Sequence, residues 1–355
     1  MRRPFWLLLL LAVALPAALA ACGGDDDEAD DGKVEVDNSA VGDGLVGVHH
    51  DFKGTGKLKV ATTVAPITSI VLNIGGNRVF IHGLIPNGVN SHTYEPRPSD
   101  AAVLSRADIF IMNGAALEGT SEEIAKKNLK DPKKIYKLAD NTLQGDDPKT
   151  GFLYDFSFPR AEGKPNPHLW MNPKYALRYA ELVRDWLSEN DPKNADYFKQ
   201  NFEAFAKVIN QLDEAIKADQ ATVPAQNRKL LTYHDSWAYW AREYGWSVVG
   251  AIQPSDFGEP SAKDVADLIK QIRDEKVPAI FGSEVFPSKV LETIAKESGA
   301  AFEDQLSDDD PPFETNDKRH TFVGMVIEDM RIMFGRLGGK ADTVSKVPAE
   351  NTFAR

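Results

Sequence analysis

Cysteine is almost absent from this 355-residue sequence: Cys22 is the sole one, which excludes an intrachain disulfide framework and a cysteine-cluster zinc site. No Lys/Arg-rich stretch occurs, and acids outnumber bases 53 to 41. Phosphate binding needs a basic patch, so nucleic acid is not an expected partner. The one long apolar run lies within residues 1–21 and is too short, and too soon followed by polar chain, to be a spanning helix. The acid excess itself is uneven. Residues 23–56 hold ten acids and two lysines, whereas 57–355 hold 43 acids and 37 bases. Length and a hydrophobic content of 42% allow about two cores.

What is present begins with an address. Arg2 and Arg3, an apolar run over 6–15 and small residues up to Ala21 read as a secretory signal peptide, residues 1–21. The string Leu19-Ala20-Ala21-Cys22 resembles the bacterial lipobox, in which the cysteine is lipidated and becomes the first mature residue. The expectation is an exported chain, lipid-anchored through Cys22 at the outer face of the cytoplasmic membrane. Residues 22–56 are rich in Asp and Gly and too polar to build a core, and are expected to form a disordered acidic tether. His49 and His50 fall in it and read as a solvated pair.

From Lys57 onward short apolar runs alternate with helical patterns, which predicts parallel βα units. Strands are expected at 58–64, 79–84, 108–112 and 134–138, with helices beginning at Pro66, Ser99 and Gly119. A second series has strands at 229–233, 247–251, 278–281 and 301–303, with helices from Ser236, Ser261, Pro287 and Lys318. The chain therefore divides into an N-terminal α/β lobe (57–192), a connecting helix (193–222), a C-terminal α/β lobe (223–345) and a tail (346–355). The connecting segment spaces Phe198, Phe202, Phe205, Val208, Ile209, Leu212 and Ile216 by threes and fours without Gly or Pro, predicting a rigid helix of about 25–28 residues.

Three of the seven histidines share a context. His92 follows the strand ending near Leu84, His168 precedes a helix starting near Pro173, and His234 stands at the carboxyl end of the strand 229–233. Open α/β sheets bind ligands beyond the carboxyl ends of their strands, so the three can face one cleft. Neutral imidazoles and one carboxylate are a tetrahedral metal set. The carboxylate should follow the last strand, where Glu303 and Asp304 are equally placed by spacing, while Asp308, Asp309 and Asp310 read as a solvated loop. His82 reads as core or as a residue behind a ligand, and His320 as exposed. Trp237, Tyr239 and Trp240 read as packing beneath the cleft, and Glu284 as a partner for a ligand histidine.

The ordered motifs Gly83-Leu84-Ile85-Pro86, His92-Thr93-Tyr94-Glu95-Pro96, Asn113-Gly114 with Leu117-Glu118, Pro167-His168-Leu169-Trp170, Tyr233-His234-Asp235 and Ala295-Lys296-Glu297-Ser298-Gly299-Ala300 are carried by most of 57–337. In these the chain resembles the zinc/manganese solute-binding lipoproteins of ABC importers, the metal-receptor cluster with a rigid backbone helix. The resemblance implies two four-stranded, mainly parallel sheets flanked by helices and joined by one long helix. It implies a single divalent ion held by His92, His168, His234 and Asp304, the last chosen over Glu303 because Gln305-Leu306 matches a Ser-Leu-like pair in the family. Ser91 and Asn172 depart from the family's usual proline and aspartate. A membrane permease with its cytoplasmic ATPase is the implied partner of a monomeric receptor without enzymatic activity.

Three imidazoles and one carboxylate suit zinc, with manganese second. Manganese receptors of this kind often carry Glu where His234 stands. Against this, residues 119–167 contain no histidine, although zinc receptors often have a His-rich loop there. A secreted zinc hydrolase is the rival from another class, but the sequence holds no His-Glu-x-x-His helix and offers no open coordination position. An adhesin role is a further alternative.

Overall fold

The computed structural model describes residues 52, 56–253, 258–285 and 289–353; Cys22, the signal peptide, His49 and His50 lie outside them. The first series forms β1 (Leu58–Thr62), α1 (Ala65–Gly75), β2 (Val79–Gly83), α2 (Pro98–Arg106), β3 (Ile109–Met112), α3 (Gly119–Asn128) and β4 (Ile135–Lys137). Helix α4 (Pro173–Asn190) and the 26-residue α5 (Ala195–Gln220) follow. The second series forms β5 (Lys229–Thr232), α6 (Ala238–Tyr244), β6 (Ser247–Ala251), α7 (Ala262–Glu275), β7 (Ala279–Ser283), α8 (Lys289–Ser298), β8 (Ala301–Leu306) and α9 (Phe322–Arg336). The two sheets are wholly parallel and have equivalent orders, β2-β1-β3-β4 and β6-β5-β7-β8. This is the expected fold class.

The local causes are visible. Buried parallel strands carry apolar side chains on both faces, as in Ile109-Phe110-Ile111-Met112, where every residue is buried. Pro66 and Pro98 occupy first-turn positions where their missing N–H is harmless. Ser261 and Asp264 form a reciprocal capping box at the start of α7. Gly245, at φ +71°, ends α6 in the left-handed region that side chains avoid. Helix α9 begins at Phe322 and not at Lys318, because Thr321 accepts the N–H of Gly324 and caps it there.

Alternation along the strands feeds different cores. Val60, Ile109 and Ile111 of the first sheet, and Leu230, Ala279 and Phe281 of the second, enter one continuous cluster. That cluster also takes Phe198, Phe205 and Leu212 from α5 and Met325, Met330 and Phe334 from α9. The opposite faces feed separate clusters: Ala61, Phe110 and Met112 pack with α2, while Leu231 and Ile280 pack with Ile269 and Ile272 of α7 and Leu291 and Ile294 of α8. The chain end returns across the first lobe, where Asn73 on α1 accepts the N–H of Thr352 at 2.9 Å and donates to Asn351 at 2.8 Å.

Candidate metal centre

Each sheet reverses strand order between its two central strands, β1 and β3 or β5 and β7, and the connections beyond the strand ends converge there. His92 comes from the connection between β2 and α2, and the side-chain Oδ1 of Asn90 accepts its backbone N–H at 2.8 Å. His168 stands immediately before the 3-10 turn Leu169–Met171 that leads into α4. Its base is fixed by Asn113, which donates to the carbonyl of Pro167 at 2.9 Å and accepts from the Tyr179 hydroxyl at 2.7 Å. His234 follows β5, and its carbonyl accepts from the Thr232 hydroxyl at 2.6 Å.

The structure brings these three histidines together. The His168 Nε2 lies 3.1 Å from that of His92 and 3.0 Å from that of His234. Among the described residues, the triad offers ligand atoms that all lie within 4.8 Å of one another. His168 and His234 are buried and His92 is half-buried.

The outer nitrogens decide what the inner ones carry. Asn166 Oδ1 accepts from His168 Nδ1 at 2.8 Å, and Gln253 Oε1 accepts from His234 Nδ1 at 3.1 Å. With the proton placed on Nδ1 by these carbonyl partners, both Nε2 atoms present lone pairs. Two lone pairs 3.0 Å apart repel unless a cation lies between them. Nitrogens bound tetrahedrally to zinc at 2.0–2.1 Å would stand about 3.3 Å apart. Burial, then the charge of His234, holds His92 well below the ordinary histidine value; burial, then His234 and His92, does the same to His168. His234 is lowered by burial against opposing contributions from Asp308 and Gln253. All three are therefore ready as neutral ligands.

The carboxylate side differs from the sequence expectation. Strand β8 continues through Leu306, so its carboxyl end lies at Ser307-Asp308 and Asp304 is left on the strand itself. Asp304 is exposed and lines a cavity of about 550 Å³ with Gly282, Glu284 and Glu328; the structure does not bring it to the triad. Glu303 pairs with Arg336 at 2.7 Å. Asp308, which is likewise outside the group of ligand atoms within 4.8 Å of one another, is buried, accepts from the Ser283 hydroxyl at 3.2 Å, and acts electrostatically on His234.

The loop read as solvated is thus an internal one. Glu284 Oε1 accepts the backbone N–H groups of Asp308, Asp309 and Asp310 at 3.1, 2.9 and 2.9 Å, so it holds this loop and not a histidine. Burial, then the charges of Asp308 and Asp309, pushes Glu284 well above the usual carboxylate range. The loop clasps the first lobe: Asp308 O accepts from Trp170 Nε1 at 2.9 Å, Asp309 from the N–H of Ser91 at 3.1 Å, and Asp310 from the N–H of Gly88. His320, expected to be exposed, is buried between Asn87 and the carbonyl of Pro312. Trp237, Tyr239 and Trp240 are buried as expected, and the Tyr239 hydroxyl also donates to the carbonyl of Asn166 at 2.8 Å. Asn172 caps α4 by accepting from the N–H of Lys174.

Sequence reasoning does not single out Asn166 or Gln253, and it places Asp308 in a solvated loop although that residue is buried. For Asn166 a signal existed. Asn90-Ser91-His92 and Asn166-Pro167-His168 repeat the pattern Asn-x-His, and in both the asparagine side-chain Oδ1 accepts the backbone N–H of the histidine.

A two-lobed parallel α/β fold with three histidines meeting between strand ends defines a metal-binding solute receptor, and residues 60–333 match the family described as zinc-uptake complex component A, periplasmic. The chain belongs to this family, which is one of receptors for ABC importers. Over 242 residues it is 28% identical to the manganese ABC transporter substrate-binding lipoprotein PsaA of Streptococcus pneumoniae, covering 68% of this chain and 77% of that one. It is 28% identical over 288 residues to the iron-binding protein YfeA of Yersinia pestis, covering 79% and 87%. Its structure is similar to the periplasmic zinc binding protein TroA from Treponema pallidum, with a TM-score of 0.71, 28% identity, and coverage of 80% of this chain and all of that one.

Proposed function

We propose that this receptor carries zinc, held by His92, His168 and His234 with Asp308 as the carboxylate in place of Asp304. The observation behind this reading is the approach of His168 Nε2 to within 3.1 Å of His92 Nε2 and 3.0 Å of His234 Nε2, with the outer N–H of His168 and of His234 engaged by a side-chain carbonyl. Three nitrogen donors and one oxygen suit a d¹⁰ ion without geometric preference, whereas manganese favours a set richer in oxygen. PsaA and YfeA are named for manganese and iron, so the fold itself does not select the ion.

In this reading the protein is exported, anchored through a lipid on Cys22 and tethered by a segment shorter than the 22–56 expected from composition, because Phe52 is already buried with Ala61 and Phe110 in the first lobe. As a monomer it captures one ion between its lobes and presents it to a membrane permease driven by a cytoplasmic ATPase. No described helix is long and apolar enough to cross a membrane, and the lipid would supply the attachment. The deciding experiment strips the protein with chelator, reloads it with zinc and manganese in competition, and counts bound metal. Preferential retention of zinc at one ion per chain is expected; preferential retention of manganese would overturn the zinc assignment.

A further inference from the structure

Phe158 lies in the connection between β4 and α4, is 7% exposed, and belongs to no helix or strand. Its ring centroid is 5.6, 5.6 and 5.8 Å from those of His92, His168 and His234. The three imidazole centroids are themselves 4.6–5.1 Å apart. A point nearly equidistant from all three lies close to the axis through the middle of their triangle, so the phenyl ring caps one face of the triad.

We propose that Phe158 is a specificity-determining residue, fixing the coordination number of the ion by closing one side of the three-nitrogen set to water. The proposal rests on the triad being the metal site. Three nitrogens leave coordination directions on both sides of their plane; the phenyl ring offers no lone pair and occupies one side, leaving the other for a single carboxylate. Four-coordinate ions are admitted, and ions that require six ligands are penalised. The ring is held in place. The Asp155 N–H donates to the Phe158 carbonyl at 3.0 Å, and the Ser157 hydroxyl donates at 3.1 Å to the carbonyl of Gln253, whose side chain holds His234. Phe158 lines a cavity of about 390 Å³ together with His92, Glu95, Glu162 and Lys164 among others, and this space has room for water next to the ring.

The test loads the full-length chain with cobalt(II), whose visible bands are intense in tetrahedral sites and weak in six-coordinate ones, and measures zinc-over-manganese preference in parallel. Wild type should give intense bands. Phe158→Ala should weaken them about fivefold or more and reduce the zinc preference about tenfold. Phe158→Leu, which keeps apolar bulk, should fall between and guards against misfolding of the alanine variant. Unchanged bands and preference in the variants, or weak six-coordinate bands in wild type, would overturn the role of Phe158 while leaving a metal receptor. Failure of wild type to take up cobalt or zinc would remove the receptor reading itself.

Discussion

Asn166 Oδ1 accepts two hydrogen bonds from a single residue, the backbone N–H of His168 at 3.0 Å and its Nδ1–H at 2.8 Å. One amide thereby sets both the position of the ligand and which ring nitrogen is free. Its Nδ2 donates onward to Asp155 at 3.0 Å and to the carbonyl of Asp235 at 2.7 Å, joining the two lobes behind the triad. Asn166→Ala should lower zinc affinity about 10–100-fold, the usual effect of losing a residue that orients a metal-bound histidine. Competitive titration against a chelator measures this, and wild-type affinity would refute the orienting role.

The ligand assignment separates two aspartates four residues apart. His168→Ala, His234→Ala and Asp308→Ala should each lower zinc affinity strongly with the circular dichroism spectrum retained. Asp304→Ala, at an exposed site on β8, should leave affinity within about twofold, since isolated surface substitutions act weakly. The reverse pattern, with Asp304 essential and Asp308 dispensable, would restore the carboxylate assignment drawn from the sequence.

Proton release reports the state of the empty site. Imidazoles with the reference value of about 6.5 would surrender about 1.5 protons per zinc at pH 6.5 if three were bound. Because burial and mutual repulsion lower His92 and His168, and burial lowers His234, release at that pH should be close to zero. Calorimetry in buffers of different ionisation enthalpy gives the count, and a value above about one contradicts a neutral triad. The sign for stability follows. These histidines are neutral when folded, so their contribution is complete above the unfolded value near 6.5 and is lost as pH falls from there toward their lowered folded values.

Glu118 is buried, accepts from the Thr63 hydroxyl at 2.6 Å and the N–H groups of Asn113 at 2.9 Å and Gly114 at 3.1 Å, and is pushed by burial up to about 7. It fixes the loop from which Asn113 supports Pro167. Glu118→Gln substitutes an amide for one carboxylate oxygen where several donors converge, and should destabilise the metal-free protein by about 1–3 kcal/mol. Urea unfolding checks this; an unchanged midpoint would mean that the loop does not depend on the carboxylate.

Much of this was legible because periodicity and strand ends are local properties. Helix α5 was readable from Phe198 to Ile216, since its apolar spacing has no interruption, and the histidines were readable because strand ends in α/β sheets are where ligands gather. The extent of β8 was not readable. Glu303, Asp304 and Gln305 are polar residues inside a strand, and they concealed its continuation to Leu306. The burial of Asp308 and Asp309 is equally hidden, because it depends on Glu284, Ser91 and Trp170, which lie 24 to 218 residues away. The expected exposure of His320 fails for the same reason, its partner Asn87 being 233 residues distant.

The continuous core has a mechanical consequence for cargo release. Val60 and Ile111 share one apolar interior with Leu230, Phe281 and Phe334, and the backbone N–H of Phe322 on α9 donates to the Ser69 hydroxyl on α1 at 2.9 Å. Separating the lobes like a clamshell would flood that interior with water, so the molecule behaves as a vice whose frame is cast in one piece. The outer layer of α7 and α8 packs through its own, separate apolar cluster, so it can move without opening that interior. Hydrogen exchange should therefore quicken in α7 and α8 on metal removal while α5 and α9 stay protected, and equal loosening of α5 would contradict the one-piece frame. A permease that empties such a receptor has to work a jaw plate, not a hinge.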